Sequence, residues 1–273
     1  NEEYFVILSS VVSLVSSFPS YSEFFMNEFR SVIENVVPDD YFLDLCCIYV
    51  LFSTRMNIVP GVQTKYLAQL FDPNISGDRH LFSARYFALH GVLKMKFSDI
   101  SRFFHGLMRY PTLFSEIVEM LIDQIDVIGK LFSEDVRISR LFSDISLRYC
   151  RIFTPSVENA RLQLFKLYSV LFRKEGVLES FFNDSMNSSF WMSLLFEEAV
   201  KSFALSQIRL YLSLYTPSET FKQSLSGVFT QLVHLLPNVQ AIKTICDVLN
   251  VLVDSTPHLS RLGLLIPSIE AAI

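Results

Sequence analysis

The sequence predicts an all-α chain: a right-handed α–α superhelix, a solenoid of about six to seven stacked helical hairpins, forming one domain over residues 1–273. Three observations predict it. Glycine is scarce, at 8 residues, too few for a sandwich or barrel of many short strands joined by glycine turns. Apolar residues recur at three, four and seven, the helical spacing. Helix-start signals return roughly every 20 residues along most of the chain.

The first stretch, Tyr4 to Ser22, carries no charge. It follows Glu2 and Glu3, has no basic leader, and contains Ser9, Ser10, Ser13, Ser16, Ser17 and Pro19, which argues against a signal peptide. A spanning helix needs roughly 20 strongly apolar residues. The stretch therefore reads as a buried helix. A chain that opens on Asn1 and stops at Ile273 in an apolar run reads as a segment of something longer.

Start signals then fall near Asp39-Asp40, Val59-Pro60, Gly77-Asp78, Phe97-Ser98, Pro111-Thr112, Ser133-Glu134, Thr154-Pro155, Phe196-Glu197, Thr216-Pro217, Pro237-Asn238 and Thr256-Pro257. The long gap before Phe196 is divided by Gly176 and the polar stretch Asn183 to Ser189. Thr before Pro places a hydroxyl at the N-cap and a fixed φ at the first helical position. Thr216-Pro217-Ser218-Glu219 reads as a capping box.

Between these marks the period is helical. From Pro111 to Lys130, Leu113, Ile117, Met120, Leu121 and Ile128 form an apolar face, and Glu116, Glu119, Asp123 and Asp126 an acidic stripe. The next segment sets Arg137, Arg140, Asp144, Arg148 and Arg151 opposite Leu141, Ile145, Leu147 and Ile152. Both are amphipathic helices. Leu162 to Phe172, Leu205 to Leu214 and Val248 to Val253 are apolar nearly all round, so each must be covered on more than one side. Alternation of the two kinds suits an array with outer and inner layers.

A helix and its turn of roughly 20 residues gives hairpins of about 40, near the 40–47 of armadillo and HEAT repeats. Arg85-Tyr86-Phe87-Ala88-Leu89 is echoed by Lys201-Ser202-Phe203-Ala204-Leu205.

Composition narrows function. Hydrophobic residues make up 51% and charged residues 19%, which allows a large core and excludes bulk disorder. The net charge is −5 and the pI about 5.6, without the concentrated basic surface that nucleic-acid binding requires and without attraction for anionic membranes. Cys46, Cys47, Cys150 and Cys246 contain no C-x-x-C pair and read as buried free thiols in a reducing compartment.

No chemistry-bearing motif emerges. The histidines His80, His90, His105, His234 and His258 lack the i, i+4 spacing of a helical metal site, and His90 and His234 read as core residues. No G-x-S-x-G elbow, phosphate loop or dinucleotide fingerprint is present. The pairs Asp39-Asp40, Glu134-Asp135 and Glu197-Glu198 sit at helix starts, where they complement the macrodipole. The reading is therefore non-enzymatic, with no cofactor and no metal.

Two features suit recognition. The acidic stripe and the basic stripe of Arg137, Arg140, Arg148 and Arg151 either face each other and knit the surface, or leave the arginines as a ridge for an acidic peptide or phosphate group. Aromatic residues crowd at Phe24, Phe25 and Phe29, at Phe103 and Phe104, and at Phe181, Phe182, Phe190 and Trp191. Most read as core, although Ser180 to Trp191 mixes Phe with Asn and Ser in the manner of a loop bearing an exposed aromatic anchor.

The run Phe190-Trp191-Met192-Ser193-Leu194-Leu195-Phe196-Glu197-Glu198-Ala199-Val200-Lys201-Ser202-Phe203-Ala204-Leu205 resembles the armadillo-like arrays upstream of the catalytically silent core in large BEACH-family proteins. The resemblance covers these sixteen residues and carries over no functional residue. It implies a scaffold segment of a large cytoplasmic protein, peripheral at membranes only through its full-length chain, in vesicle traffic or membrane dynamics. The expected function is a non-catalytic scaffold for protein or peptide partners. The alternatives are a structural segment with intramolecular partners only, or a compact helical lipid-binding bundle enclosing an apolar cavity.

Overall fold

The computed structural model describes residues 6–7, 10–11, 13–15, 17–35, 42–55, 64–75, 79–152, 154–236, 238–255 and 266–267. These residues are helical or lie in turns, with no strand among them. The chain divides into two compact units, Asn1–Leu113 and Phe114–Ile273. The start signals expected at Asp39-Asp40, Val59-Pro60, Gly77-Asp78 and Thr256-Pro257 lie outside the described residues.

In the first unit, α1 (Pro19–Asn35), α2 (Phe42–Arg55), α3 (Thr64–Leu70), α4 (Arg79–Val92) and α5 (Phe97–Leu107) follow in order. Helix α2 is apolar on nearly every side, and α1, α3 and α4 all pack against it. Phe42, Cys46, Val50, Ala84 and Leu89 fill the space between them. Arg85 on α4 is buried, and its guanidinium closes the end of α3. Its Nε donates to Leu70 O at 2.6 Å, and its Nη2 to Asp72 O at 3.2 Å and Ile75 O at 3.3 Å. Carbonyls left over at a helix end are thereby satisfied.

The described residues before α1 overturn the expectation of a buried leading helix. Val6, Ile7, Val11, Leu14 and Phe18 are all exposed. Phe24 on α1 is exposed too, while Phe25 and Phe29 are half-buried.

The second unit holds most of α6 (Pro111–Asp123), then α7 (Ile125–Glu134), α8 (Val136–Cys150), α9 (Pro155–Leu171), α10 (Val177–Asn183), α11 (Ser185–Ser193), a 3-10 turn at Leu194–Phe196, α12 (Glu198–Leu214), α13 (Glu219–His234) and α14 (Val239–Ser255). The single amphipathic helix expected from Pro111 to Lys130 is two. Gln124 (φ −101°, ψ 32°) ends α6 and starts α7. Its N–H is shared between the carbonyls of Met120 and Leu121, and its own carbonyl accepts from Val127 and Ile128.

Local chemistry sets the other boundaries. Asp135 accepts the Arg137 N–H at 3.0 Å and caps α8. Thr154 is the extended residue before Pro155, as expected, but its hydroxyl makes no cap bond. Gly176 adopts φ +74° and opens α10, a left-handed conformation that favours glycine. Asp184 accepts the Asn187 N–H at 3.0 Å and opens α11. The expected capping box at Thr216 moves two residues on. Ser218 is the N-cap of α13 and accepts the Phe221 N–H at 3.1 Å, while its own N–H donates to the Tyr211 hydroxyl.

Ser180 to Trp191 lies in α10 and α11, broken only at the extended Asp184, and Phe181, Phe182, Phe190 and Trp191 are buried, so no exposed aromatic loop exists there. The physical reason is coverage. The Trp191 ring is fully buried and meets Phe165, Tyr168, Phe172, Phe181, Phe182 and Phe203 at centroid distances of 5.2–6.4 Å.

Helices pack with their neighbours and with more distant ones in a regular order. Helix α8 packs on α9 and α11, α11 on α13, and α12 on α14. Phe165 on α9 meets Phe203 on α12 at 4.9 Å. Polar pairs mark the same order. Asn159 reaches Ser115, Arg140 reaches Asp184 and Ser143 reaches Asn187, each across 44 positions. Ser139 and Asn187, and Asp126 and Lys174, are 48 apart. Arg209 and Asp254 are 45 apart, and Glu198 and Gln240 are 42 apart.

Candidate functional site

The four arginines singled out in the sequence lie on α8 and at its C-cap, and three of them pair with carboxylates. Arg137 is exposed and its guanidinium clasps Asp135 on its own helix start, with Nε–Oδ1 at 2.9 Å and Nη2–Oδ2 at 2.7 Å. Those bonds hold the Asp135 carboxyl below, and the Arg137 guanidinium above, their usual values. Arg140 turns to Asp184 at the start of α11. Arg148 pairs with Asp144 one turn back, at 2.9 Å. Arg151 is exposed at the C-cap of α8, with no carboxylate pairing with it among the described residues.

The acidic stripe is not their partner either. Asp126 pairs with Lys174, and each of the arginines' carboxylates comes from elsewhere. Glu116, Glu119 and Asp123 lie on α6 and Asp126 on α7, whereas the carboxylates that pair with Arg137, Arg140 and Arg148 are Asp135, Asp184 and Asp144.

A second surface, which the sequence reading missed, lies between α12 and α14. Ligand pockets occupy roughly 300–1,000 Å³, and this cleft measures about 530 Å³. Charged and hydroxyl side chains make up most of its wall, with Leu205 and Val251 beneath. Lys201 is buried at its floor. Its Nζ lies 3.1 Å from Glu198 Oε2 and 3.2 Å from Asp247 Oδ2, within ion-pair reach of both but aligned for a hydrogen bond with neither. Burial pushes the Lys201 ammonium down, and the two carboxylates more than reverse it. Lys243, Gln240 and the Arg209–Asp254 pair frame the rim, the first two reaching Glu198. Ser202, Ser206 and Asn250 are exposed along the cleft, the Ser206 hydroxyl donating to Phe203 O and accepting from Gln207 Nε2. The only early sign of this surface was the echo of Arg85 and Lys201, both buried basic residues, although their partners differ.

A third surface is apolar. Leu14, Val15, Phe18, Tyr21, Phe24 and Phe25 line a cleft of about 460 Å³ in the first unit, with Glu28 at its edge. It opens to the surface and does not form the enclosed cavity a lipid-binding bundle calls for.

Other reactive side chains are placed for packing. Cys46, Cys47 and Cys150 are buried, as expected, but Cys246 on α14 is exposed. Burial pushes the Cys150 thiol up to about 11, away from thiolate reactivity. Burial also raises Tyr149 and Tyr168. His234 is exposed at the end of α13, contrary to the core position expected, and His90 is half-buried. Among the described residues no group of three or more His, Cys, Asp or Glu side chains is placed to hold a metal ion, and no helix is long and apolar enough to cross a membrane.

No family model matches the chain, and neither a curated protein nor a solved structure does.

Proposed function

We propose that this chain is a non-catalytic scaffold for protein–protein interaction, its second unit built as an armadillo/HEAT-like stack of helical hairpins. One observation carries the reading. Polar side chains join helices at separations of 42, 44, 45 and 48 positions, the spacing of a helical repeat of roughly 40–47 residues. In such a stack each hairpin covers its neighbour, and equivalent helices line one continuous face. The cleft between α12 and α14 is part of such a face. Its hydroxyl and amide groups suit the backbone of an extended peptide, and its paired charges suit a peptide of mixed charge. The context of a large cytoplasmic protein in vesicle traffic or membrane dynamics rests on the BEACH-like run alone, and membrane association is then indirect.

The test is selection of displayed peptides on the purified full chain, followed by fluorescence anisotropy with a Ser206→Trp variant that fills the cleft. Selected peptides compete for one site and lose binding to the variant. Absence of any selectable peptide favours the purely structural role, with intramolecular partners only.

A second reading follows from the exposed apolar row before and on α1. Such patches on soluble chains mark partner or lipid contact. Flotation with neutral phosphatidylcholine vesicles tests it: the chain floats, and a Phe18→Asp/Phe24→Asp variant stays behind.

A further inference from the structure

Lys201 on α12 is 4% exposed, and its ammonium makes no hydrogen bond among the described residues. Glu198 and Asp247 balance its charge from 3.1 and 3.2 Å, but neither is aligned to accept from it. An ammonium carries three donors, and the large majority of buried polar side-chain atoms are paired. These donors therefore call for an acceptor.

The sequence echo indicates which kind. Arg85-Tyr86-Phe87-Ala88-Leu89 and Lys201-Ser202-Phe203-Ala204-Leu205 set a buried cation at the same point of one five-residue pattern, with a buried alanine three positions on. Arg85 directs its donors to main-chain carbonyls, those of Leu70, Asp72 and Ile75. No main-chain carbonyl among the described residues does this for Lys201. Lys201 instead lines the cleft between α12 and α14.

Charge narrows the acceptor further. Two carboxylates already face one ammonium, so a third negative group in the cleft meets like charge at short range. A carbonyl oxygen is neutral and meets no such repulsion. Ser202 and Asn250, exposed along the same wall, offer short polar side chains to the neighbouring amides. The Glu198 side chain is 62% exposed against 32% for Asp247, which makes Glu198 the outer cover of the ammonium and the side chain that a ligand displaces. We propose that Lys201 donates to a main-chain carbonyl of the peptide bound in this cleft, anchoring it by its backbone and not by an acidic side chain. This inference rests on the cleft being a peptide site, and its test separates the two.

The probe is the tightest peptide selected on the full chain, fluorescein-labelled and made with one carbonyl at a time replaced by a thiocarbonyl, a weaker acceptor. Anisotropy measures each form against the parent chain and against Lys201→Met, which keeps an apolar stem and drops the ammonium. The unmodified peptide binds Lys201→Met about tenfold or more weakly, the scale of one hydrogen bond to a charged group. One thiocarbonyl weakens binding to the parent and leaves binding to Lys201→Met unchanged, the coupling that a direct contact requires. Lys201→Met leaves Glu198 and Asp247 without their shared cation, so Lys201→Met/Asp247→Asn is measured beside it. The thiocarbonyl series on the parent chain needs no variant.

A peptide excluded by Ser206→Trp that binds Lys201→Met/Asp247→Asn as tightly as the parent overturns the anchor and leaves the peptide site standing. So does a peptide in which no thiocarbonyl weakens binding, or one whose binding to the parent depends on an Asp or Glu side chain and is lost in its amide form. A chain on which no peptide can be selected removes the peptide site and the anchor with it.

Discussion

Arg140 on α8 and Asp184, 44 positions later, hold two helices of the second unit in register. The guanidinium Nε lies 3.1 Å from both carboxylate oxygens and Nη2 lies 2.5 Å from Oδ2. The same carboxylate accepts the Asn187 N–H and caps α11. One side chain thus starts a helix and fixes it to a neighbour. Arg140→Ala leaves Asp184, whose side chain is 9% exposed, without its cation. The expected loss is about 1–2 kcal/mol, between the values for surface and buried pairs. Asp184→Ala removes the cap as well and costs more, by about 1 kcal/mol. Urea unfolding curves of the two variants check the order.

The pair also makes stability depend on acid. Burial pushes the Asp184 carboxyl up, but the Arg140 hydrogen bonds and the Asn187 and Met186 N–H groups outweigh it and leave the carboxyl below its usual value. A group depressed in the folded state contributes stability above its unfolded value, about 3.9, and that contribution disappears as pH falls through the folded value. Asp135, depressed by Arg137, adds in the same direction. Stability measured by urea midpoint from pH 6 to pH 2 therefore falls less steeply in Arg140→Met than in the parent. Equal slopes remove the pair from the acid response.

Asn187 is fully buried between the same two helices. Its Nδ2 donates to Ser139 Oγ at 2.7 Å, and its Oδ1 accepts from Ser143 Oγ at 2.9 Å. Asn187→Ala strands the Ser143 hydroxyl and opens a void, at an expected cost of about 2–3 kcal/mol. Replacing all three polar groups together, as Ser139→Ala/Ser143→Ala/Asn187→Leu, recovers much of that loss, because no donor is left unmatched. Thermal unfolding of the single and triple variants decides it.

These contacts show what the sequence could and could not reveal. Boundaries written in local chemistry were legible: Thr154 before Pro155, Gly176, and the polar stretch holding Asp184 all mark helix limits. The break at Gln124 was not, because neither Gly nor Pro marks it. Partners of the arginines were not legible either. Spacing shows which side chains share a face of one helix, but Arg140 finds its carboxylate 44 positions away. The first stretch misled for a related reason. An uncharged run reads as buried wherever a covering surface is assumed, and the described residues there have none.

Trp191, the single tryptophan of the chain, doubles as a reporter. Its ring is fully buried among aromatics from α9, α10 and α12, and its N–H donates to Ala204 O at 3.3 Å. Its emission is therefore short-wavelength in the native chain and shifts red as the second unit unfolds. Truncation in Trp191→Ala is expected to cost about 3–5 kcal/mol, visible as a lower urea midpoint by circular dichroism. An emission already red in native buffer contradicts the burial.

Gly176 isolates a backbone effect. Its φ is +74°, and a Cβ built there meets no heavy atom within 4 Å. Gly176→Ala therefore introduces no clash with the surrounding side chains. It introduces only the penalty of a left-handed conformation, about 1–2 kcal/mol for an L-residue. Asn tolerates that conformation better, so Gly176→Asn should lose less than Gly176→Ala despite its larger side chain. Calorimetric melting of both variants provides the comparison, and a larger loss in Gly176→Asn shows that side-chain space, not φ, governs the site.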